Sequence, residues 1–193
     1  EESGERTFLS CHGPEYSFQK EWLDSLDLAG YSMVYICGLE VEAPTGKNLV
    51  NFLEENRHME IYFAPGPRGL HIPDGRLDQM LALHPVLHIN RQEAAELSGH
   101  QDLLEAAAAL HAVTKNTVII TLGPNGAFFM EKDGTSSMVP GVPAQVVDTI
   151  GAGDSHIGQV LASLSRQIPL KEAIRMANAV ASKVVSVKGA SLT

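Results

Sequence analysis

Cysteine, positive charge and long apolar runs are all scarce in this chain of 193 residues. The two cysteines, Cys11 and Cys37, form neither a metal-binding spacing nor a disulfide framework, which indicates a reducing cytoplasm. No apolar run approaches the roughly 20 residues that a membrane-spanning helix needs. We therefore expect a cytoplasmic protein without a membrane partner.

The charge balance is acidic. Lysine and arginine number 14 against 23 aspartates and glutamates, which gives a formal net charge of -9. This balance argues against a general nucleic-acid binder, because the phosphate backbone is bound mainly by positive side chains. It does not exclude a nucleotide ligand, since backbone N–H groups bind phosphate even on an acidic protein.

Three familiar motifs are missing or incomplete. Gly46-Lys47-Asn48 resembles the end of a P-loop, but no glycine stands five residues earlier and Asn48 replaces Ser or Thr. No strand leads into a G-x-G-x-x-G turn, which disfavours a Rossmann-type dehydrogenase. The eight histidines are scattered, so we expect no zinc site.

Short apolar segments alternate with helical ones along most of the chain. Strands are predicted at residues 6–11, 32–37, 60–64, 86–89 and 117–122. Helices are predicted around residues 16–28, from Pro44 through Arg57, and at residues 77–83, 92–97 and 102–113. This alternation is typical of a parallel sheet with helices on both faces.

The last third of the chain has a different rhythm. Asp133-Gly134 lies between the apolar segments 127–132 and 135–139 and predicts a β-hairpin. Two long helices follow at residues 155–166 and 170–187, separated by Pro169. The predicted fold class is therefore α/β, a doubly wound, mostly parallel sheet flanked by helices, with a late β-hairpin and two C-terminal helices.

A turn of small residues, Gly151-Ala152-Gly153, stands directly before the first of these two helices. Residues with little or no Cβ let an anion approach the backbone N–H groups at a helix N-terminus. Asp154 lies in the same turn, where a carboxylate could accept a proton from an attacking hydroxyl. The alternative is a plain helix-entry turn in which Asp154 interacts with the helix dipole, and for these residues alone that alternative is the commoner one.

Asn90 and Glu93 lie between the strand at residues 86–89 and the next helix. Asn90 is a good N-cap and Glu93, three residues later, suits a capping box, which geometry alone favours. The carboxyl ends of parallel strands are also where α/β sheets bind ligands. Both interpretations stay open at this point.

The longer string from Asp148 to Asp154, Asp-Thr-Ile-Gly-Ala-Gly-Asp, resembles the C-terminal signature of the ribokinase-like (PfkB) carbohydrate kinases. The resemblance implies an enzyme, an ATP-dependent sugar kinase that transfers the γ-phosphoryl group to a sugar hydroxyl. It implies that Asp154 is the catalytic base. The amides of Gly151, Ala152 and Gly153 would then form the anion hole.

The resemblance also assigns ligand contacts elsewhere. The family's Asn-x-x-Glu motif places Asn90 near the nucleotide and Glu93 near Mg²⁺, in part through water. ATP-contact candidates lie in a Thr-Leu-Gly-x-x-Gly segment and on the last helix: Thr121, Gly123, Gly126 and Asn178. A monovalent cation, expected to be K⁺, would lie beside Asp148 and the backbone carbonyls of Ile150 and Gly189.

These assignments have simpler alternatives. Residues 121–126 also suit a plain strand-to-hairpin turn, Asn178 a helix-surface residue, and Asp148 a residue that starts a turn by binding N–H groups. Glu40, expected at the end of the strand before Pro44, either reaches the sugar or is a solvated loop residue, which we favour. His156 either tunes Asp154 or has a structural role, which we favour.

The resemblance covers essentially all 193 residues as a single α/β kinase domain. It aligns with the later two-thirds of a typical member, so we expect the family's N-terminal strands, its lid and the extreme C-terminus to be missing from this chain. The alternatives are a nucleoside kinase of the same family and a non-catalytic nucleotide- or sugar-binding regulator. The expected partners are a small-molecule sugar and, in a homodimer, a second copy of the chain.

Overall fold

A computed structural model describes residues 13–190 of the chain. Within these residues, six strands form one mixed sheet in the order β1-β2-β3-β4-β5-β6. The strands are β1 (Met33–Cys37), β2 (Glu60–Ala64), β3 (Val86–Asn90), β4 (Val118–Thr121), β5 (Ala127–Met130) and β6 (Ser136–Val139). The α-helices of the described residues are α1 (Lys20–Asp24), α2 (Gly38–Glu42), α3 (Gly46–Glu55), α4 (Asp74–Ala82), α5 (Arg91–Ser98), α6 (Leu103–Thr114), α7 (Ala152–Leu164) and α8 (Leu170–Val184). This arrangement confirms the predicted α/β fold class.

The first three strands run parallel, with Ile36 opposite Phe63 and Phe63 opposite Leu87. Strand β4 lies beside β3, where the Leu87 N–H donates to the carbonyl of Thr117, just before β4, at 3.0 Å. The apolar side chains of β2, β3 and β4 are buried, as expected for strands that are covered on both faces. Because parallel strands end at the same edge, the residues that follow β1, β2 and β3 lie along one side of the sheet.

The chain divides into two compact units. Within the described residues, the N-terminal unit comprises residues 13–120 and Met130–Thr135, and the C-terminal unit comprises Thr121–Phe129 and residues 136–190. In the C-terminal unit α7 packs along α8, and α8 also contacts β6. No helix in the part of the chain described here is both long enough and apolar enough to cross a membrane.

Most predicted elements are confirmed, with boundaries shifted by a few residues at most. The hairpin turns at the predicted dipeptide, where Gly134 has φ 86° and the Thr135 N–H donates to Asp133 Oδ1 at 2.8 Å. The helix after Asp102 begins as expected, since this side chain accepts hydrogen bonds from the N–H groups of Leu104 and Glu105. The strand predicted at residues 6–11 lies outside the described residues.

Near the N-terminus one helix prediction is wrong, and one helix was not predicted at all. The helix expected around residues 16–28 is reduced to the five residues of α1, and none of its side chains is buried. So short a helix is not stable by itself, and Asp27 starts a new turn by accepting the Ala29 N–H at 3.1 Å. Conversely, α2 was not predicted: the Arg76 guanidinium caps its end by donating to the carbonyls of Val41, Glu42 and Ala43, a contact between residues distant in sequence.

Candidate active site

The turn before α7 begins at Gly151, which is the N-cap and has φ 74°. This left-handed conformation favours glycine. A Cβ at Gly151 would also lie 2.9 Å from the Cβ of Ala190. Helix α7 begins at Ala152, three residues earlier than predicted, so Gly153 and Asp154 belong to its first helical turn.

Most backbone N–H groups of this turn have no acceptor among the described residues. The Ser155 N–H donates to the Gly151 carbonyl at 2.8 Å, and the Ala152 N–H reaches the Thr149 carbonyl only at 3.4 Å. Within residues 13–190, no acceptor is recorded for the N–H groups of Gly151, Gly153 and Asp154. Free donors at the positive end of a 13-residue helix can bind an anion.

The Asp154 carboxylate is exposed beside these donors. Among the described residues, no hydrogen bond or ion pair to its oxygens is recorded. A carboxylate without a committed partner can accept a proton from a hydroxyl that reaches it. The turn therefore presents a proton acceptor and a set of anion-binding donors side by side.

Asp148 organises the approach to the turn. Its Oδ1 accepts the Ile150 N–H at 3.0 Å and its Oδ2 accepts the Gly189 N–H at 3.1 Å. The Val185 carbonyl accepts the N–H groups of both Val147, at 2.7 Å, and Asp148, at 3.2 Å. The three residues predicted around a monovalent cation are thus brought together, and the turn-forming role of Asp148, its simpler explanation, is present as well.

The Thr121–Gly126 segment forms a tight turn after β4. The Leu122 N–H donates to the Gly126 carbonyl at 2.7 Å, and Gly126 has φ 94°. A Cβ at Gly126 would lie 2.1 Å from the Val139 carbonyl oxygen, and one at Gly141 would lie 2.1 Å from that of Pro124. Both glycines are thus required by close backbone packing, and Gly141, which the sequence analysis overlooked, was signalled by the Pro140-Gly141 dipeptide.

Asn178 is buried in α8 rather than exposed on its surface. Its Nδ2 donates to the carbonyls of Val139 and Pro140 at 3.3 and 3.0 Å. Its Oδ1 lies 3.2 Å from Nε2 of His156, which is also buried. The surface-residue interpretation is therefore wrong, the adenine contact stays a prediction, and His156 has a structural partner as expected.

In the N-terminal unit, Asn90 and Glu93 form the capping box that the spacing favoured. Asn90 Oδ1 accepts the Glu93 N–H at 2.8 Å, and Glu93 Oε2 accepts the Asn90 N–H at 3.0 Å. Burial raises the pKa of the Glu93 carboxyl, while the hydrogen bond from Asn90 opposes the rise and Glu96 adds to it. The magnesium and nucleotide roles of this pair stay predictions.

Glu40 does not lie at the end of a strand or in a solvated loop. It belongs to α2, is half-buried, and its Oε2 accepts the Cys37 N–H at 2.6 Å at the end of β1. Gly38, two residues earlier, lets the Pro65 backbone approach α2 closely, since a Cβ at Gly38 would lie 1.8 Å from the Pro65 carbonyl oxygen. The structure thus gives Glu40 a capping function, and its sugar contact stays a prediction.

Metal ligation by side chains alone finds little support. Among the described residues, no group of three or more His, Cys, Asp or Glu side chains is placed to hold a metal ion. A cation here would depend on single carboxylates supplemented by backbone carbonyls, water or phosphate oxygens, as is common for Mg²⁺.

Known proteins are similar to this chain over most of its length. The sugar kinase YegV of Escherichia coli strain K12, described as uncharacterized, is 39% identical over 196 residues, which cover 98% of this chain and 60% of YegV. The aminoimidazole riboside kinase of Salmonella enterica, solved with aminoimidazole riboside and an ATP analog, is 26% identical with a TM-score of 0.71, over 83% of this chain and 58% of that one. The fructokinase of Vibrio cholerae O395, solved with fructose, ADP and a calcium ion, has the same fold, with 22% identity and a TM-score of 0.71 over 86% and 60% of the two chains.

The chain therefore spans about 60% of the length of its relative YegV. The family model described as "pfkB family carbohydrate kinase" matches this chain over residues 1–193, which agrees with the resemblance seen in the sequence. With the turn before α7, the shared fold and this match in view, the chain belongs to the pfkB family of carbohydrate kinases.

Proposed function

We propose that this protein is an ATP-dependent kinase that phosphorylates a hydroxyl group of a small sugar. The observation that carries the proposal is the first turn of α7, where the N–H groups of Gly151, Gly153 and Asp154 and the Asp154 carboxylate have no recorded partner within residues 13–190. Family membership supports the same reaction class.

In the proposed reaction, the sugar hydroxyl oxygen forms a bond to the γ-phosphorus while the bond from that phosphorus to the β–γ bridging oxygen breaks, which releases ADP. Asp154 accepts the hydroxyl proton. The N–H groups of Gly151, Gly153 and Asp154, with that of Ala152, stabilise the negative charge on the transferring phosphoryl oxygens. Such a turn needs no rearrangement during the reaction, because Gly151 and Asp148 already fix its backbone.

Kinases of this family use ATP with Mg²⁺, which neutralises charge on the phosphate chain. We propose that Asn90 and Glu93 help to hold this ion. Within the described residues the hydrogen bonds of the capping box use Glu93 Oε2, and none is recorded to its Oε1. One carboxylate oxygen, acting directly or through water, is adequate for Mg²⁺.

We also propose that a K⁺ ion binds beside Asp148. The hydrogen bonds from Ile150 and Gly189 to one carboxylate hold the backbone of both residues close to it. We also propose that the nucleotide contacts Thr121, Gly123, Gly126 and Asn178, and that the sugar contacts Glu40.

The test replaces Asp154 by Asn in the full-length protein. We expect kcat to fall by roughly 10²–10⁴-fold, because the general base is lost, while ATP binding persists. The matched control is Asp102→Asn, which exchanges one good N-cap for another at the start of α6 and leaves the rate unchanged. A rate for Asp154→Asn within threefold of the wild type would remove Asp154 from the mechanism.

A nucleoside is the second candidate acceptor, because the similar Salmonella enterica enzyme is an aminoimidazole riboside kinase. Assaying ATP consumption against a panel of sugars and nucleosides separates the two. An absence of turnover with every acceptor, together with measurable binding of ATP, would support the non-catalytic regulator instead. Assembly as a homodimer and a cytoplasmic location remain predictions.

A further inference from the structure

His156 and Asn178 form a buried polar pair that joins three parts of the C-terminal unit. His156 is in α7, Asn178 is in α8, and the carbonyls bound by Asn178 belong to Val139 and Pro140 at the end of β6. The two side chains are only 3% and 6% exposed. A pair so well shielded from water depends on each polar atom having its partner.

The pattern of carbonyls determines which atom donates. The Asn178 amide directs Nδ2 towards two backbone carbonyls, which can only accept, so its Oδ1 faces His156 and is an acceptor. His156 must therefore carry its proton on Nε2 and donate it to Asn178 at 3.2 Å. Burial lowers the pKa of the imidazole to about 4, and the ring is accordingly neutral at pH 7.

The pair acts on the turn before α7 from two directions. Along α7, His156 lies about one turn after Gly151 and Ala152. Through Val139 and Pro140, Asn178 holds the beginning of the exposed segment that leads to Asp148. The other end of that segment is bound to the Val185 carbonyl just after α8. The segment is thus held at one end by α8 and at the other by the residue that follows α8, and α7 is held to α8 at His156.

We propose that His156 is a positioning residue which, through Asn178, fixes the first turn of α7 against the end of β6. The inference rests on the proposed function, because the groups it positions are the free N–H donors of that turn and the Asp154 carboxylate. The alternative is that His156 only fills space between α7 and α8, as an apolar residue would. The two differ in whether the hydrogen bond matters for the rate or only for the stability of the fold.

The test compares three variants of the full-length protein. His156→Phe keeps a ring of similar size but removes the donor, and His156→Gln restores a donor. Val160→Ala is the matched control, because Val160 is one turn further along α7 and fully buried, and its truncation destabilises the same helix packing without breaking a polar pair. For each we measure the melting temperature, kcat, and KM for ATP at a temperature where all variants are folded.

We expect His156→Phe to lower kcat by about 10- to 100-fold with a smaller change in KM, since a displacement of about 1 Å of the reacting groups costs that much. His156→Gln should recover most of the rate, and Val160→Ala should keep it within about twofold, in line with intact positioning. If His156→Phe and Val160→Ala lower kcat equally at equal loss of melting temperature, the inference is overturned. A rate for His156→Gln as low as that for His156→Phe would overturn it too.

Two further controls keep the result unambiguous. If His156→Phe is insoluble, His156→Met, a flexible apolar residue that adapts to irregular cores, takes its place in the same comparison. The wild type is measured first. Absence of wild-type turnover would refute the proposed function, whereas normal wild-type turnover with an unaffected His156→Phe refutes only the positioning role.

Discussion

Gly153→Ala separates the stability of the α7 turn from its chemistry. Gly153 is exposed in the first turn of the helix, and a Cβ built there meets no atom within 4 Å. Alanine is favoured over glycine in helices by about 0.5–1 kcal/mol, and an exposed methyl costs nothing in packing here. We therefore expect the free energy of unfolding to rise by about 0.5 kcal/mol, near the lower limit because the position is in the first turn.

The rate should change in the opposite direction. In the proposed reaction, a phosphoryl oxygen reaches the N–H groups of Gly153 and Asp154 through the space that the methyl group would occupy. Displacing that group by about 1 Å costs on the order of 10²-fold, so we expect kcat/KM for ATP to fall at least about tenfold. A variant that is more stable but slower is hard to explain unless the turn binds substrate.

Gly151→Ala provides the contrast. Its φ of 74° costs a residue with a Cβ about 1–2 kcal/mol, and the new Cβ would also come within 2.9–3.0 Å of Ala190. This variant should therefore lose both stability and activity. Thermal unfolding and initial rates at saturating acceptor are measured for both variants in the same buffer. If Gly153→Ala is as active as the wild type, the turn does not approach the phosphoryl group and the reasoning fails.

Three further predictions concern ions and protons. Glu93→Gln keeps the capping box, because glutamine at this position also accepts the Asn90 N–H. The substitution should nevertheless raise the Mg²⁺ concentration that gives the half-maximal rate. An unchanged Mg²⁺ titration would mean that Asn90 and Glu93 only cap the helix. At constant ionic strength the wild-type rate should be higher in K⁺ than in Na⁺ or a bulky organic cation, and Asp148→Asn should abolish this difference. Equal wild-type rates in all three salts would contradict the cation site. On folding, the pKa of His156 falls from 6.5 to about 4, so between these values the unfolded chain binds a proton that the folded chain does not. The wild type should therefore lose stability relative to His156→Gln as the pH falls through this range. Denaturant titrations from pH 7 to pH 4 would measure this difference.

The sequence predicted the parts of the fold that depend on local pattern. The strand β2, the hairpin at Asp133-Gly134 and the capping side chain of Asn90 are all signalled by neighbouring residues, and all are found. The family motif added the candidate turn at Gly151. These features require no knowledge of which distant elements meet.

The features that were missed depend on distant contacts. Helix α2 is held by Arg76, more than thirty residues further along the chain, and the short α1 has no core to cover its apolar side chains. The pairing of His156 with Asn178 joins two helices, and nothing in either local sequence signals it. The simpler alternative for Asn178 was a residue on the helix surface, whereas packing against β6 buries it.

Glu93 and Asp154 show how one helix position can serve two purposes. Each is the acidic residue three positions after the N-cap of its helix, α5 or α7. The longer glutamate reaches back to the N-cap N–H at 3.0 Å and completes a capping box. The aspartate has one methylene fewer, and no hydrogen bond to its carboxylate is recorded within residues 13–190. Side-chain length at this position thus distinguishes a carboxylate that stabilises its own helix from one that remains available to a substrate.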